Sequence, residues 1–434
     1  MRILGYSKLL KYLSTGGIFF SFGLLCIAGQ AQAQELTAAQ GGRWQIQPSL
    51  SFYQQYSDNI DLAYRNPLGA WRTEIIPGVS FIRPLPRKQL KFDLNLKLDH
   101  REKENGVSET FSWYDIYGYA GHEVSPRLSY ELSGNLNAGY TENNIGKPFI
   151  NVFSSVNRSV GLTFSPGLKF QLTRTTLTKA SYSYTLTQYA GSGAVNATEH
   201  TLSLYLEQKF GSRVVVDIGG IYSIKTLSNN AGYKDFMIPV GITMDLTYTK
   251  IRIGWIYLIR NFNQQSGLQN TNKLGFQVAA ELGGTLLRLR ATTVELNYST
   301  SYYQDLYGDP YENQEARLGV YHAFHDFDVY AYTRYGNNIY IQKQDKVNYY
   351  GAGTNVKYRI SALSAVAVGL DYDNYNYTPA GRDYTITRGT IDYTYYLYEW
   401  ILTGVSYRRT TSTSSTIEGN YTENLYALFV RAVW

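Results

Sequence analysis

Tyr421-Thr422-Glu423-Asn424-Leu425-Tyr426-Ala427-Leu428-Phe429-Val430-Arg431-Ala432-Val433-Trp434 ends the chain, and its reading decides the fold. Tyr426, Leu428, Val430, Ala432 and Trp434 alternate with Leu425, Ala427, Phe429, Arg431 and Val433. Period two over this length marks a β-strand. The strand runs to the last residue and stops on an aromatic ring. In a soluble sandwich that end would leave a free edge, which invites pairing with other chains. A closed barrel has no edge, because its last strand pairs with its first.

The same rhythm fills residues 44–434. Leu90, Phe92, Leu94, Leu96 and Leu98 alternate with Lys91, Asp93, Asn95, Lys97 and Asp99. Leu202, Leu204 and Leu206 alternate with Ser203, Tyr205 and Glu207, and Ile251, Ile253, Trp255, Tyr257 and Ile259 frame Arg252. One side of each strand suits lipid and the other suits water. Short turns near 84–88, 124–127, 173–176, 211–213, 248–250, 283–286, 324–327, 360–363 and 397–400 alternate with longer loops rich in Asn, Asp, Gly and Ser. Nine turns and ten loops give an all-β, transmembrane, antiparallel up-and-down β-barrel of 18–20 strands with both ends on one side. Pro77-Gly78 and Pro166-Gly167 each read as a bulge or a bend, because a strand proline cannot donate to the ladder. A change of outward parity near 291–294 reads as another. The loops are too short to fold into a lumen, which points to a monomer.

Composition agrees. Residues 1–33 form a signal peptide: Arg2, Lys8 and Lys11 precede the apolar run Ile18–Ile27, and Ala31-Gln32-Ala33 is the cleavage site. The only cysteine, Cys26, lies inside it, so the mature chain has neither a disulfide nor a thiolate metal site. Residues 34–43 read as a short periplasmic tail, with no plug domain ahead of a barrel over 44–434. No later apolar run reaches the roughly 18 residues of a membrane helix. Tyr outnumbers Phe 42 to 18, as suits strands wet on one side. The location this implies is the bacterial outer membrane, with its lipid and the barrel assembly machinery as partners and no nucleic acid.

Signatures of enzymes are missing: there is no G-x-S-x-G, no H-E-x-x-H and no phosphate-binding glycine loop. His100 and His322 fall on outward rows near strand ends, where a structural interfacial role fits. Asp371 with Asp373, or Asp305 with Asp309, could imitate a catalytic pair, but acids on wet strands are ordinarily solvated charge. The chain therefore reads as a non-enzyme without cofactor or metal.

The inward rows define a water-filled path. Arg252, Arg260, Arg288, Arg290, Tyr330, Tyr332, Arg334, Lys357 and Arg359 are its candidate residues. A charge on the lipid face would cost about 2–4 kcal/mol at mid-membrane, so these belong inside. Lys and Arg exceed Asp and Glu on these rows, which implies mild anion selectivity.

Two resemblances extend the reading. The terminal aromatic strand resembles the assembly signal of outer-membrane barrels, with Trp434 as its last residue. Pro48-Ser49-Leu50-Ser51, Tyr56-Ser57-Asp58-Asn59-Ile60 and Thr73-Glu74-Ile75-Ile76-Pro77-Gly78-Val79-Ser80 resemble the start of the putative β-barrel porin 2 family, over about residues 46–100. That resemblance implies a conduit for exopolysaccharide or capsular polysaccharide, served by a periplasmic polysaccharide exporter. A general diffusion porin for small solutes and a non-conducting, surface-binding barrel are the alternatives.

Overall fold

The computed structural model describes residues 44–434 apart from the segments 60–65, 86, 143–155, 191–194, 229–231, 247–248, 264–269, 283–291, 305–309, 341–344, 379–381 and 416–418. The signal peptide and tail expected over 1–43, together with Arg288 and Arg290, lie outside the described residues.

Twenty strands follow one another: β1 Gln45–Ser57, β2 Ala70–Leu85, β3 Lys88–Lys103, β4 Ser108–Ser125, β5 Leu128–Glu142, β6 Val156–Gln171, β7 Thr176–Ala190, β8 Ala197–Phe210, β9 Val214–Leu227 and β10 Tyr233–Leu246. They continue as β11 Thr249–Phe262, β12 Thr271–Leu282, β13 Thr292–Gln304, β14 Pro310–Ala323, β15 Phe327–Tyr340, β16 Lys346–Ser361, β17 Ser364–Thr378, β18 Arg382–Tyr398, β19 Ile401–Ser414 and β20 Tyr421–Val433. Each pairs antiparallel with its sequence neighbours, and β1 closes the sheet on β20. The sequence bounds the strand number at 18–20, and closure fixes it at twenty.

Alternation puts the apolar rows on the outside. Leu202 and Leu204 are each 57 % exposed, because their surroundings are lipid rather than protein. The charged rows turn inward and meet one another there.

The seam explains the Ser57-Asp58-Asn59 stretch. Ser57 donates to Glu423 Oε1 (2.8 Å), Asn424 donates from its backbone and its amide to the two Asp58 oxygens (2.7 Å each), and Asn59 Nδ2 donates to the Thr422 carbonyl (2.9 Å). The first loop is thereby tied to the last strand at the loop end of the closure. At the other end the Trp434 N–H donates to the Pro48 carbonyl (3.0 Å). The Trp434 ring lies 5.7 Å from Trp400, which stacks on Tyr398 at 5.6 Å, an interfacial aromatic cluster on the turn side. Deleting Trp434 removes both the cluster's last ring and a backbone bond across the seam. Outer-membrane fractions should then hold several-fold less barrel than wild type; equal amounts would refute a role in assembly.

Of the bulge or bend expected at Pro77 and at Pro166, the bulge does not form. At Pro77 and Pro166 the ladder lapses for two residues but resumes in register: Ile75 faces Leu98 and Gly78 faces Asn95, while Phe164 faces Tyr184 and Gly167 faces Ser181. The proline omits a hydrogen bond without inserting a residue. Register shifts occur instead beside turns, at 123–125, 359–361 and 396–398. The outward parity changes between β11 and β12, where Tyr257 and then Leu274 and Phe276 face lipid. The change falls between Phe262 and Thr271, ahead of the 291–294 position expected.

Candidate functional site in the barrel lumen

The inward rows differ between the two ends of the bore. Toward the loops the charged side chains are buried, among them Glu74, Asp99, Arg101, Asp235, Arg260 and Glu423. Toward the turns they are open: the Arg252 and Arg359 side chains are 51 % and 53 % exposed. The wall is therefore packed at the outer end and solvated at the periplasmic end.

Most inward cations have an acid beside them. Arg260 binds Asp235 through two bonds (2.8 and 2.7 Å), and its guanidinium lies 3.9 Å from the Tyr233 ring centre. Arg72 and Arg101 share Asp99 (2.8 Å each), Arg359 meets Asp328 (2.8 Å), and Arg252 lies 3.9 Å from Asp217. Such pairing subtracts from the positive excess counted along the rows. Arg260, expected on the substrate path, is a brace inside the wall. Lys357 is exposed, on the same face as Arg359.

One sector, β14–β18, gathers most of the other candidates. Its geometry depends on inward glycines. Strands two apart in a sheet lie roughly 10 Å from each other, so their side chains ordinarily cannot meet over the strand between. Here the middle residue is glycine. Arg334 on β15 faces Gly351 on β16, which faces Asp373 on β17, and Arg334 donates to Asp373 at 2.7 Å. One step along, Tyr332 faces Gly353, which faces Asp371, and the Tyr332 hydroxyl donates to Asp371 at 2.8 Å. Tyr349 crosses Gly336 in the same manner to donate to Glu315 at 2.9 Å. A Cβ on Gly353 would lie 2.5 Å from the Tyr332 ring, so the glycine is what lets the ring lie against the wall.

The result is a flat polar and aromatic surface. Tyr330 and Tyr332 stack at 5.9 Å with 28° between their planes. Arg317 on β14 lies 4.6 Å from the Tyr332 ring centre and donates to the Tyr330 hydroxyl at 3.0 Å. Arg317 is exposed, and no carboxylate pairs with it among the described residues. It is an exposed guanidinium of this sector without an acid beside it among the described residues.

The sequence reading placed Tyr330, Tyr332, Arg334, Lys357 and Arg359 on one wall, and the structure brings them together. It left out Arg317 as a site residue and the role of the glycines. A signal was present: Gly351 and Gly353 share one parity inside a strand, where glycine marks a close approach. Their partners could not be named, because the partners sit two strands away. His100 donates to or accepts from Thr110 (2.8 Å) and His322 pairs with Thr292 (2.5 Å), structural contacts on outward rows. No cluster of His, Cys, Asp or Glu suited to a metal occurs among the described residues.

No family model matches the chain, and no curated protein matches it. Solved structures do match, at low identity. The siderophore receptor PirA from Pseudomonas aeruginosa is 11 % identical with a TM-score of 0.58, over 91 % of this chain and 81 % of that one. The FrpB iron transporter from Neisseria meningitidis is 8 % identical with a TM-score of 0.57, over 93 % and 83 %. The ferric enterobactin receptor PfeA from Pseudomonas aeruginosa is 8 % identical with a TM-score of 0.56, over 91 % and 81 %. At such identities the likeness is one of fold. The expectation of a polysaccharide conduit with a periplasmic polysaccharide exporter is corrected by this finding: the matching barrels are siderophore receptors and an iron transporter. The reading from residues 46–100 rested on short strand and turn motifs, which constrain a hairpin and its seam rather than a cargo. The chain is an outer-membrane β-barrel of twenty antiparallel strands, with the fold these receptors share.

Proposed function

We propose that this barrel binds and takes up iron–siderophore complexes, the ligand class of the siderophore receptors whose fold it shares. The observation that supports the reading is the open Arg317 guanidinium set against the stacked Tyr330 and Tyr332 rings. A ferric chelate surrounds its metal with hard oxygen donors and often carries net negative charge. A guanidinium attracts that charge, and flat rings hold planar chelating groups at low entropic cost. The twenty-strand bore suits a solute of that bulk better than a narrow barrel does, since diameter grows with strand number. Solvated walls toward the turns provide the onward path.

The test is direct binding. Purified full-length barrel in detergent is titrated with ferric enterobactin and with a ferric hydroxamate, reading tryptophan quenching. At least one chelate should bind, and Arg317→Ala should weaken it about tenfold, or about 1.4 kcal/mol. Failure of both chelates to quench the wild-type barrel would overturn the reading.

A further inference from the structure

We infer that half of the periplasmic rim, from the turn between β2 and β3 to the foot of β11, is a binding surface for anionic phospholipid headgroups of the inner leaflet. The wall is closed and its strands follow chain order, so these five turn ends lie side by side. They carry Arg87, Lys88, Arg127, Arg174, Arg213 and Lys250, all exposed. None of the six forms an ion pair among the described residues, whereas the lumen cations described above mostly have acids beside them. Glu123 and Asp245 are the acids nearby. The other half is different. Its described turns, 324–326, 362–363 and 399–400, hold His325, Asp326 and Glu399 and no Lys or Arg.

The neighbours of the cations say which partner fits. Four descending strands carry a large exposed apolar residue of the lipid-facing row at or within one residue of their ends: Val124, Leu172, Phe210 and Leu246. A cation follows each within two to four residues, as Arg127, Arg174, Arg213 and Lys250. An apolar anchor at the edge of the hydrocarbon, with a cation one step beyond it, matches the order of an acyl chain and its phosphate. A water-soluble acidic protein would call for the cations and not for the anchors. Arg is apt for this, because its planar fork binds phosphate through two bonds. Arg87 also holds φ 63°, a conformation that glycine adopts more easily.

Native mass spectrometry of the full-length barrel can decide it. The barrel is delipidated, re-equilibrated with phosphatidylglycerol or phosphatidylcholine, and released from detergent with its bound lipids. The wild type should retain phosphatidylglycerol in preference, and added salt should erode that preference, since screening weakens exposed charges. The triple variant Arg127→Gln/Arg174→Gln/Arg213→Gln should lose at least tenfold in phosphatidylglycerol affinity, since each basic group near an anionic surface adds to the attraction. Phosphatidylcholine binding should not change. Equal retention of the two lipids by the wild type would overturn the inference, and so would a preference that survives the triple substitution. If the triple variant does not fold, the salt titration of the wild type decides: a salt-insensitive preference sinks the idea.

Discussion

Asp235→Ala is expected to destabilise the barrel by about 3–5 kcal/mol, the cost of leaving a buried charge without its partner. Asp235 and Arg260 are only 6 % and 7 % exposed in their side chains and are 2.7 Å apart. The guanidinium is also covered by the Tyr233 and Phe262 rings, so water cannot replace the lost carboxylate. Arg359→Ala offers the contrast. Its pair with Asp328 is equally short at 2.8 Å, but the Arg359 side chain is 53 % exposed, and solvent screens it. That change should cost about 1 kcal/mol or less. Urea unfolding followed by tryptophan fluorescence compares the two. A loss at Asp235 no larger than that at Arg359 would refute the brace assigned to Arg260.

Gly336→Ala is the second large effect, about 1–3 kcal/mol by overpacking. An added Cβ would overlap the Tyr349 ring and lie 2.5 Å from the Gln314 carbonyl, which is backbone and cannot swing away. Tyr349 would have to leave the wall, breaking its bonds with Glu315 and Asn313 (2.9 Å each). Its ring would then stand in the bore. Unfolding stability and single-channel conductance should both fall. Gly389→Ala is the matched control, since a Cβ there meets nothing within 4 Å. Gly389 faces lipid, and its replacement should be neutral or slightly stabilising. If both alanines behave alike, the inward glycines do not shape the wall.

These two cases divide what the chain states locally from what folding adds. Period-two alternation by itself determined the strands, the inward and outward faces of most of them, and the short turns. Each depends on residues within a few positions of one another, since a strand flips face at every residue and a lipid-exposed row must be apolar. The inward direction of Arg260, Tyr332 and Arg334 was legible for that reason. What these side chains do was not. Arg334 meets Asp373 across Gly351, and Tyr332 meets Asp371 across Gly353, between strands that no local pattern connects. Register alone decides which glycine lies beneath which ring, and register is set by the closed sheet as a whole. The same holds for Asp58, whose partner Asn424 is 366 residues away and adjacent only because the barrel closes.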